Sequence, residues 1–201
     1  MAPADPKTVL HRTLDEARDA LLWKLDGLGE YDARRPLTPT GTNLLGLVKH
    51  LTGVEFGYFG EPFGRPARRL PAWLVPGAED STAEENVDMW AKETETRQQI
   101  LDDYRAARAH ADATIAALPL DAAGRVEPWP PDRRDVTLHE MLVLAIAETH
   151  RHAGHADIVR ELVDGSVGRL PDDPASPRTR SELQAHWDRV HFAAERADHP
   201  V

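Results

Sequence analysis

Residues 138–164 read LHEMLVLAIAETHRHAGHADIVRELVD, and their periodicity sets the architecture. Leu138, Met141, Ala145, Glu148, His152, His155, Val159 and Leu162 follow one another in steps of three and four, the spacing that lines side chains along one stripe of an α-helix. Thr137 followed three residues later by Glu140 is a capping-box pattern, and Gly165 is suited to a left-handed terminator. The spacing therefore predicts a helix from about 137 to Asp164. Three of the eight seam positions are polar. A seam of this kind faces neighbouring helices, so a carboxylate and two imidazoles are drawn toward the core. An unpaired charge there costs several kcal/mol or shifts its pKa until it is neutral. Something must compensate these groups.

The same periodicity recurs upstream. Leu10, Leu14, Ala17, Leu21, Leu25 and Leu28 predict a first helix over Pro6–Leu28. A break follows through Gly29–Thr42, with Pro36 and Pro39. Asn43 then opens a second helix carrying Leu44, Leu47, Val48, Leu51 and Val54 and ending near Tyr58 or Gly60. Phe59–Asp80 holds Pro62, Pro66, Pro71 and Pro76, which cannot continue a helix, and reads as a long crossover or lid. Ser81 and Glu84 form another capping pattern; Val87, Trp90, Leu101, Tyr104, Ala111, Ile115 and Leu118 extend it into a third helix over roughly 82–118. Pro119–Asp135 is a second proline-rich loop, Gly168–Arg178 reads as a loop in the tail, and Ser181 to about Glu195 as a short fifth helix. These expectations describe an all-α, four-helix bundle with a long crossover and a short C-terminal helix. One domain is expected over 1–201, with its core at about 6–165 and an extension over 166–201. In such bundles sites are built between facing helices.

The bulk composition narrows the function. The chain has 201 residues, enough for one full core, with 41% hydrophobic and 29% charged residues. Its net charge is −10 and its basic residues are scattered, so nucleic acid is not an expected partner. Cysteine is absent, which removes disulfides, thiolate ligands and a cysteine nucleophile; any thiol chemistry must use a thiol from outside. Met1–Thr8 lacks the pattern of a signal peptide, and no apolar run approaches the roughly 18 residues of a membrane span. A cytoplasmic location without a membrane partner is the expectation.

Glu148 and His152, four apart, share a helix face with Cβ atoms about 5–6 Å from each other, close enough to reach one ion. His50, mid-way along the second helix and one position off its apolar stripe, is the third candidate ligand. Two imidazoles and a carboxylate suit Zn²⁺, with Ni²⁺, Fe²⁺ or Mn²⁺ as alternatives, and three protein ligands leave a position open for water or substrate. A Glu/His pair at this spacing also occurs on many helices that bind no metal. His155 is a candidate for proton transfer or substrate contact, or else a hydrogen-bonded core histidine. His150 and Arg151 point away from the seam. His11, His110, His139, His186, His191 and His199 lack partner patterns and read as surface residues. Trp23, Trp90, Trp129 and Trp187 suggest packing, whereas Trp73 in the crossover could close over a ligand. Arg97, in register between Trp90 and Leu101, is a candidate to face the cavity and receive a substrate carboxylate, or else a surface arginine.

The stretch Thr42–Glu55, TNLLGLVKHLTGVE, together with Glu148–Glu161, ETHRHAGHADIVRE, resembles the DinB-like superfamily in its actinobacterial branch. The likeness runs from about residue 8 to 165. It implies a four-helix bundle with a long crossover, often homodimeric, with one metal-binding histidine on the second helix and an HxxxH pair on a later one. Glu148 stands where the first histidine of that pair normally is. The mycothiol-dependent maleylpyruvate isomerase is similar in using a His, Glu, His zinc site, and the ligands so implied are His50, Glu148 and His152. Relatives include mycothiol and bacillithiol S-transferases. The resemblance implies a zinc-dependent thiol S-transferase or thiol-dependent isomerase, with mycothiol as cosubstrate and a small-molecule electrophile. The alternatives are a bundle that binds metal or a small molecule without turnover, and a metal-activated hydrolase.

Overall fold

The computed structural model describes residues 4–75, 85–171 and 179–198. Among the described residues the chain is all-α apart from one two-stranded ribbon. Helix α1, Pro6–Leu22, starts where Asp5 accepts from the Thr8 amide at 2.9 Å and Pro6 occupies the first turn. It tightens into a 3₁₀ turn over Trp23–Leu25 and stops before Gly27, whose φ of 73° no L side chain adopts easily. The regular helix thus ends short of the predicted Leu28. The break that follows contains a five-residue helix α2, Glu30–Arg34.

Helix α3, Leu44–Phe59, is capped by Asn43, which accepts from the Gly46 amide at 2.7 Å. Helix α4, Arg97–Ala117, corrects the sequence reading, which placed its start near 82. Its N-terminus is a capping box in which Thr96 and Gln99 satisfy each other's backbone amides. The polar run between Trp90 and Leu101 had hidden that box inside an apparent periodicity. Residues 85–96 instead form turns with one 3₁₀ turn over Val87–Met89; the Ser81–Glu84 pattern lies outside the described residues. The ribbon pairs β1, Ala123–Arg125, antiparallel with β2, Asp135–Thr137, inside the stretch expected to be only loop. Helix α5, Leu138–Asp164, has the expected capping box and ends at Gly165, φ 82°. Helix α6, Arg180–Asp198, is the C-terminal helix, and its described side chains are exposed.

Helices α1, α3, α4 and α5 pack as the bundle, α3 against α4 and α5, and α1 against α5. One core region joins Leu21, Leu25, Leu45, Leu51, Tyr104 and Val159. The other joins Leu14, Phe59, Ile115, Leu138, Met141 and Leu142. Burying each such aliphatic or aromatic side chain contributes about 1.5–3 kcal/mol, which fixes the relative height of the helices. Charge also enters the interior. Arg18 of α1, fully buried, donates Nε and Nη2 to both carboxylate oxygens of Glu55 of α3 at 2.7 and 2.6 Å. No helix among the described residues is long and apolar enough to cross a membrane.

Candidate metal centre and its cavity

The buried face of α5 carries Leu138, Met141, Leu142, Ala145, Thr149, His152, Ala153, Ala156 and Val159. It is rotated slightly from the predicted seam, so Leu162 and His155 come out exposed while His152 stays in. Glu148 sits at the margin of this face with about a quarter of its side chain open (28%). The pairing of α3 with α5 brings His50 alongside, and the ring centroids of His50 and His152 lie 4.7 Å apart at 65°. Glu148 Oε1 stands 2.9 Å from His152 Nε2 and 3.5 Å from His50 Nε2. One ligand atom from each of the three residues falls within 4.8 Å of the other two, a cluster able to hold a metal ion.

The electrostatics favour positive charge at that point. Burial opposes charging His50, but Asp88 hydrogen-bonded to Nδ1, and then Glu148, outweigh it and hold this imidazole above its ordinary range. Burial, with His50 nearby, pulls His152 below its ordinary range against the pull of Glu148. Burial raises Glu148, but its contacts with His152 and His50 overcome this and keep it an anion. The Asp88 carboxylate is lowered by its hydrogen bond to His50 against the effect of burial. His50 Nε2 is buried and makes no hydrogen bond. A buried nitrogen without a partner, aimed at a carboxylate and a second imidazole, is the environment a cation completes. The donor set fits a divalent metal.

Asp88 escaped the sequence reading. Its Oδ2 lies 2.7 Å from His50 Nδ1, but no periodicity marks a carboxylate in an irregular turn. The Thr96–Gln99 capping box was the available signal that residues before it are free to leave the helix.

His50 and Asp88 also line a cavity of about 780 Å³. Its floor is the α3 face of His50, Gly53, Val54, Gly57 and Tyr58; the crossover supplies Pro62, Leu70, Trp73 and Leu74, and the β1–β2 loop adds Val126 and Trp129. Trp73 is buried and lies against Gly53, where an added Cβ would stand 3.5 Å from the indole. Trp129 meets Tyr58 edge to face at 6.3 Å. The Tyr58 hydroxyl is pushed up by burial and then by Glu148, so it remains a hydrogen-bond donor at neutral pH. Arg125, on the rim, is paired with Glu127 and Asp135 at 2.8 Å each.

Arg97 lies elsewhere. Its guanidinium donates to the carbonyls of Leu28, at 2.7 Å, and of Leu25, tying α4 to the end of α1, and it is not part of the cavity wall. His155 is exposed, its ring 5.3 Å from that of His152, and is no core histidine. His11 and His110 depart from the surface reading: His11 Nε2 bonds Asp112 at 2.8 Å, and His110 is half-buried with its ring 5.8 Å from that of Phe56. A second acidic cluster, His11, Asp15 and Asp112, resembles a metal set. Arg18 Nη1 already binds both carboxylates at 2.8 Å, and Arg108 lies 3.4 Å from Asp15, so its charge is met by guanidinium.

A helical bundle whose facing helices converge two imidazoles and a carboxylate beside an apolar cavity defines a class of small-molecule sites built on bundle cores. The particular family follows from comparison: the sequence model of the mycothiol-S-transferase family matches residues 9–165, and the chain belongs to that family, one of the DinB-like families. Among solved structures, the crystal structure of a conserved protein from Enterococcus faecalis shares the fold. Its TM-score is 0.60 at 19% identity, over 82% of this chain and 100% of that one. No curated protein matches the chain.

Proposed function

We propose that the chain is a metal-dependent mycothiol S-transferase in which His50, Glu148 and His152 hold one divalent cation, zinc being best suited to the donors, and the adjoining cavity receives the electrophile. The observation that carries this reading is that His50 belongs both to the triad and to the cavity wall. When bound, such a cation keeps about one net positive charge against its ligands and holds an incoming thiol as the thiolate at neutral pH.

The chain's own residues do the rest. No cysteine competes as nucleophile, so sulfur must arrive on the cosubstrate. The apolar wall formed by Val54, Leu70, Trp73 and Trp129 keeps water from the reacting pair and places the electrophile beside His50. A new sulfur–carbon bond forms as the leaving atom departs with its electron pair, and Tyr58, protonated and facing the cavity, is placed to donate a hydrogen bond to that atom. His155, exposed and next to His152, is the candidate to pass the thiol proton to solvent.

The deciding experiment is conjugation of a chlorinated or epoxide probe with mycothiol, with and without chelator. Chelator-sensitive thiol consumption is the expected result. No consumption across a broad probe panel counts against transfer.

A further inference from the structure

A strap of chain over Asn86–Glu95 is fastened to one stripe of α3. Asn43, the α3 cap, donates Nδ2 to the Met89 carbonyl at 3.1 Å. Gly46, three residues on, lies so close to the same carbonyl that a Cβ there would stand 1.9 Å from it. Lys49, buried, donates Nζ to the Trp90 carbonyl at 3.0 Å and to Glu95 Oε2 at 2.8 Å. Glu95 Oε2 in turn accepts from the Lys92 amide at 2.8 Å. The strap enters through Asn86 in the left-handed region, φ 55°, a conformation asparagine tolerates better than other side-chain-bearing residues.

Val87 is buried and Met89 and Ala91 pack partly buried against the core, and polar contacts add to that apolar attachment. Polar and close-packed contacts fix the carbonyls of residues 89 and 90, and next to them stands Asp88, its Oδ2 on His50 Nδ1. From this we infer that Asp88 is a positioning residue: by accepting the Nδ1 hydrogen of His50 it leaves the Nε2 lone pair facing Glu148 and His152, and the strap serves to hold it there.

The physical reason is a count of hydrogens. A neutral imidazole carries one N–H, and an ionised carboxylate can only accept, so the hydrogen must sit on Nδ1. Without Asp88 the other tautomer becomes accessible, placing its hydrogen on Nε2, where Glu148 Oε1 at 3.5 Å is the nearby acceptor and where a cation would need the lone pair. Carboxylate partners of metal-binding histidines typically carry roughly 10- to 100-fold in metal affinity. The inference rests on the metal reading above, and its test separates the two.

The test uses full-length protein, with Zn²⁺ titrated in competition with a chromophoric chelator and the His50 tautomer read in metal-free protein by long-range ¹H–¹⁵N NMR, at a pH alkaline enough for the imidazole to be neutral. Asp88→Ala is expected to bind Zn²⁺ roughly 10- to 100-fold more weakly than wild type and to lose the pure Nδ1–H signature. Asp88→Asn, matched in shape, keeps the strap in place if alanine unsettles it and is expected to weaken binding in the same direction. Unchanged affinity with the Nδ1–H tautomer retained in both variants overturns the inference. Failure of wild type to take up Zn²⁺ overturns the metal reading instead; an Nδ1–H signature independent of Asp88 would still refute the positioning role.

Discussion

His50 Nε2 and Glu148 Oε1 approach to 3.5 Å from two helices, with no hydrogen bond completed at the histidine nitrogen. With His152 the pair gathers ligand atoms within 4.8 Å of one another, a set able to hold one cation, and the predictions about the site follow from that.

Removing the inner imidazole tests the ligand set directly. His152→Ala is expected to carry less than half the metal of wild type after identical purification, measured by elemental analysis. Full occupancy would refute the assignment of His152, because two remaining ligands, both of them partly exposed, do not retain a divalent ion through purification.

Filling the cavity should separate metal from substrate. A Cβ at Gly57 meets nothing within 4 Å and projects from the cavity floor. Gly57→Leu is expected to leave metal content unchanged and to raise KM for an apolar electrophile about tenfold or more, a loss of roughly 1.4 kcal/mol in binding. The same substitution should raise Tm, because leucine is favoured over glycine within a helix by up to about 1 kcal/mol. Unchanged KM would show that the electrophile binds elsewhere.

Gly46 gives the opposite sign on the same helix. Alanine gains about 1 kcal/mol over glycine in helix propensity, but its Cβ would fall 1.9 Å from the Met89 carbonyl, a backbone atom that cannot swing aside. Gly46→Ala is expected to lower Tm in a thermal melt. A rise in Tm would mean that the strap over Asn86–Glu95 is not seated against α3.

The buried Arg18–Glu55 pair sets a stability test remote from periodicity. Glu55→Gln leaves a buried guanidinium with part of its compensation, from Asp15 and Asp112 at 2.8 Å. Breaking a buried pair typically costs about 3–5 kcal/mol. The expected value lies at the lower end of that range, as read from denaturant midpoints; a loss below about 1 kcal/mol, the worth of an exposed pair, would contradict the burial.

Acid should act through Asp112. Burial raises this carboxyl, but its hydrogen bonds to His11 and Arg18 prevail and hold it below the usual carboxylate range. A depressed folded-state pKa contributes stability above the unfolded value, near about 3.9, and that contribution is lost as pH falls through the lower folded value. Asp112→Asn should therefore destabilise the protein at pH 7 and flatten the acid limb of a plot of denaturant midpoint against pH. An unaltered acid limb would show that Asp112 gains nothing from its partners.

The legible part of this protein was local. The capping box at Thr137–Glu140 and the i, i+4 placement of Glu148 and His152 act within a helical turn, where backbone geometry alone sets who meets whom. The start of α4 was misread for the same reason: Val87 and Trp90 keep helical spacing by coincidence, while Thr96 and Gln99 carry the cap.

What the chain's letters determined was the all-α bundle, its proline-rich crossover and the polar residues along α5, because helical periodicity and capping are short-range properties. Tertiary packing decided the rest. Asp88 reaches His50 across 38 residues, and Glu55 reaches Arg18 across 37. Contacts over such separations depend on how helices settle against each other, and no spacing rule encodes them. The cavity between α3, the crossover and the β1–β2 loop likewise exists only once the bundle has closed around it.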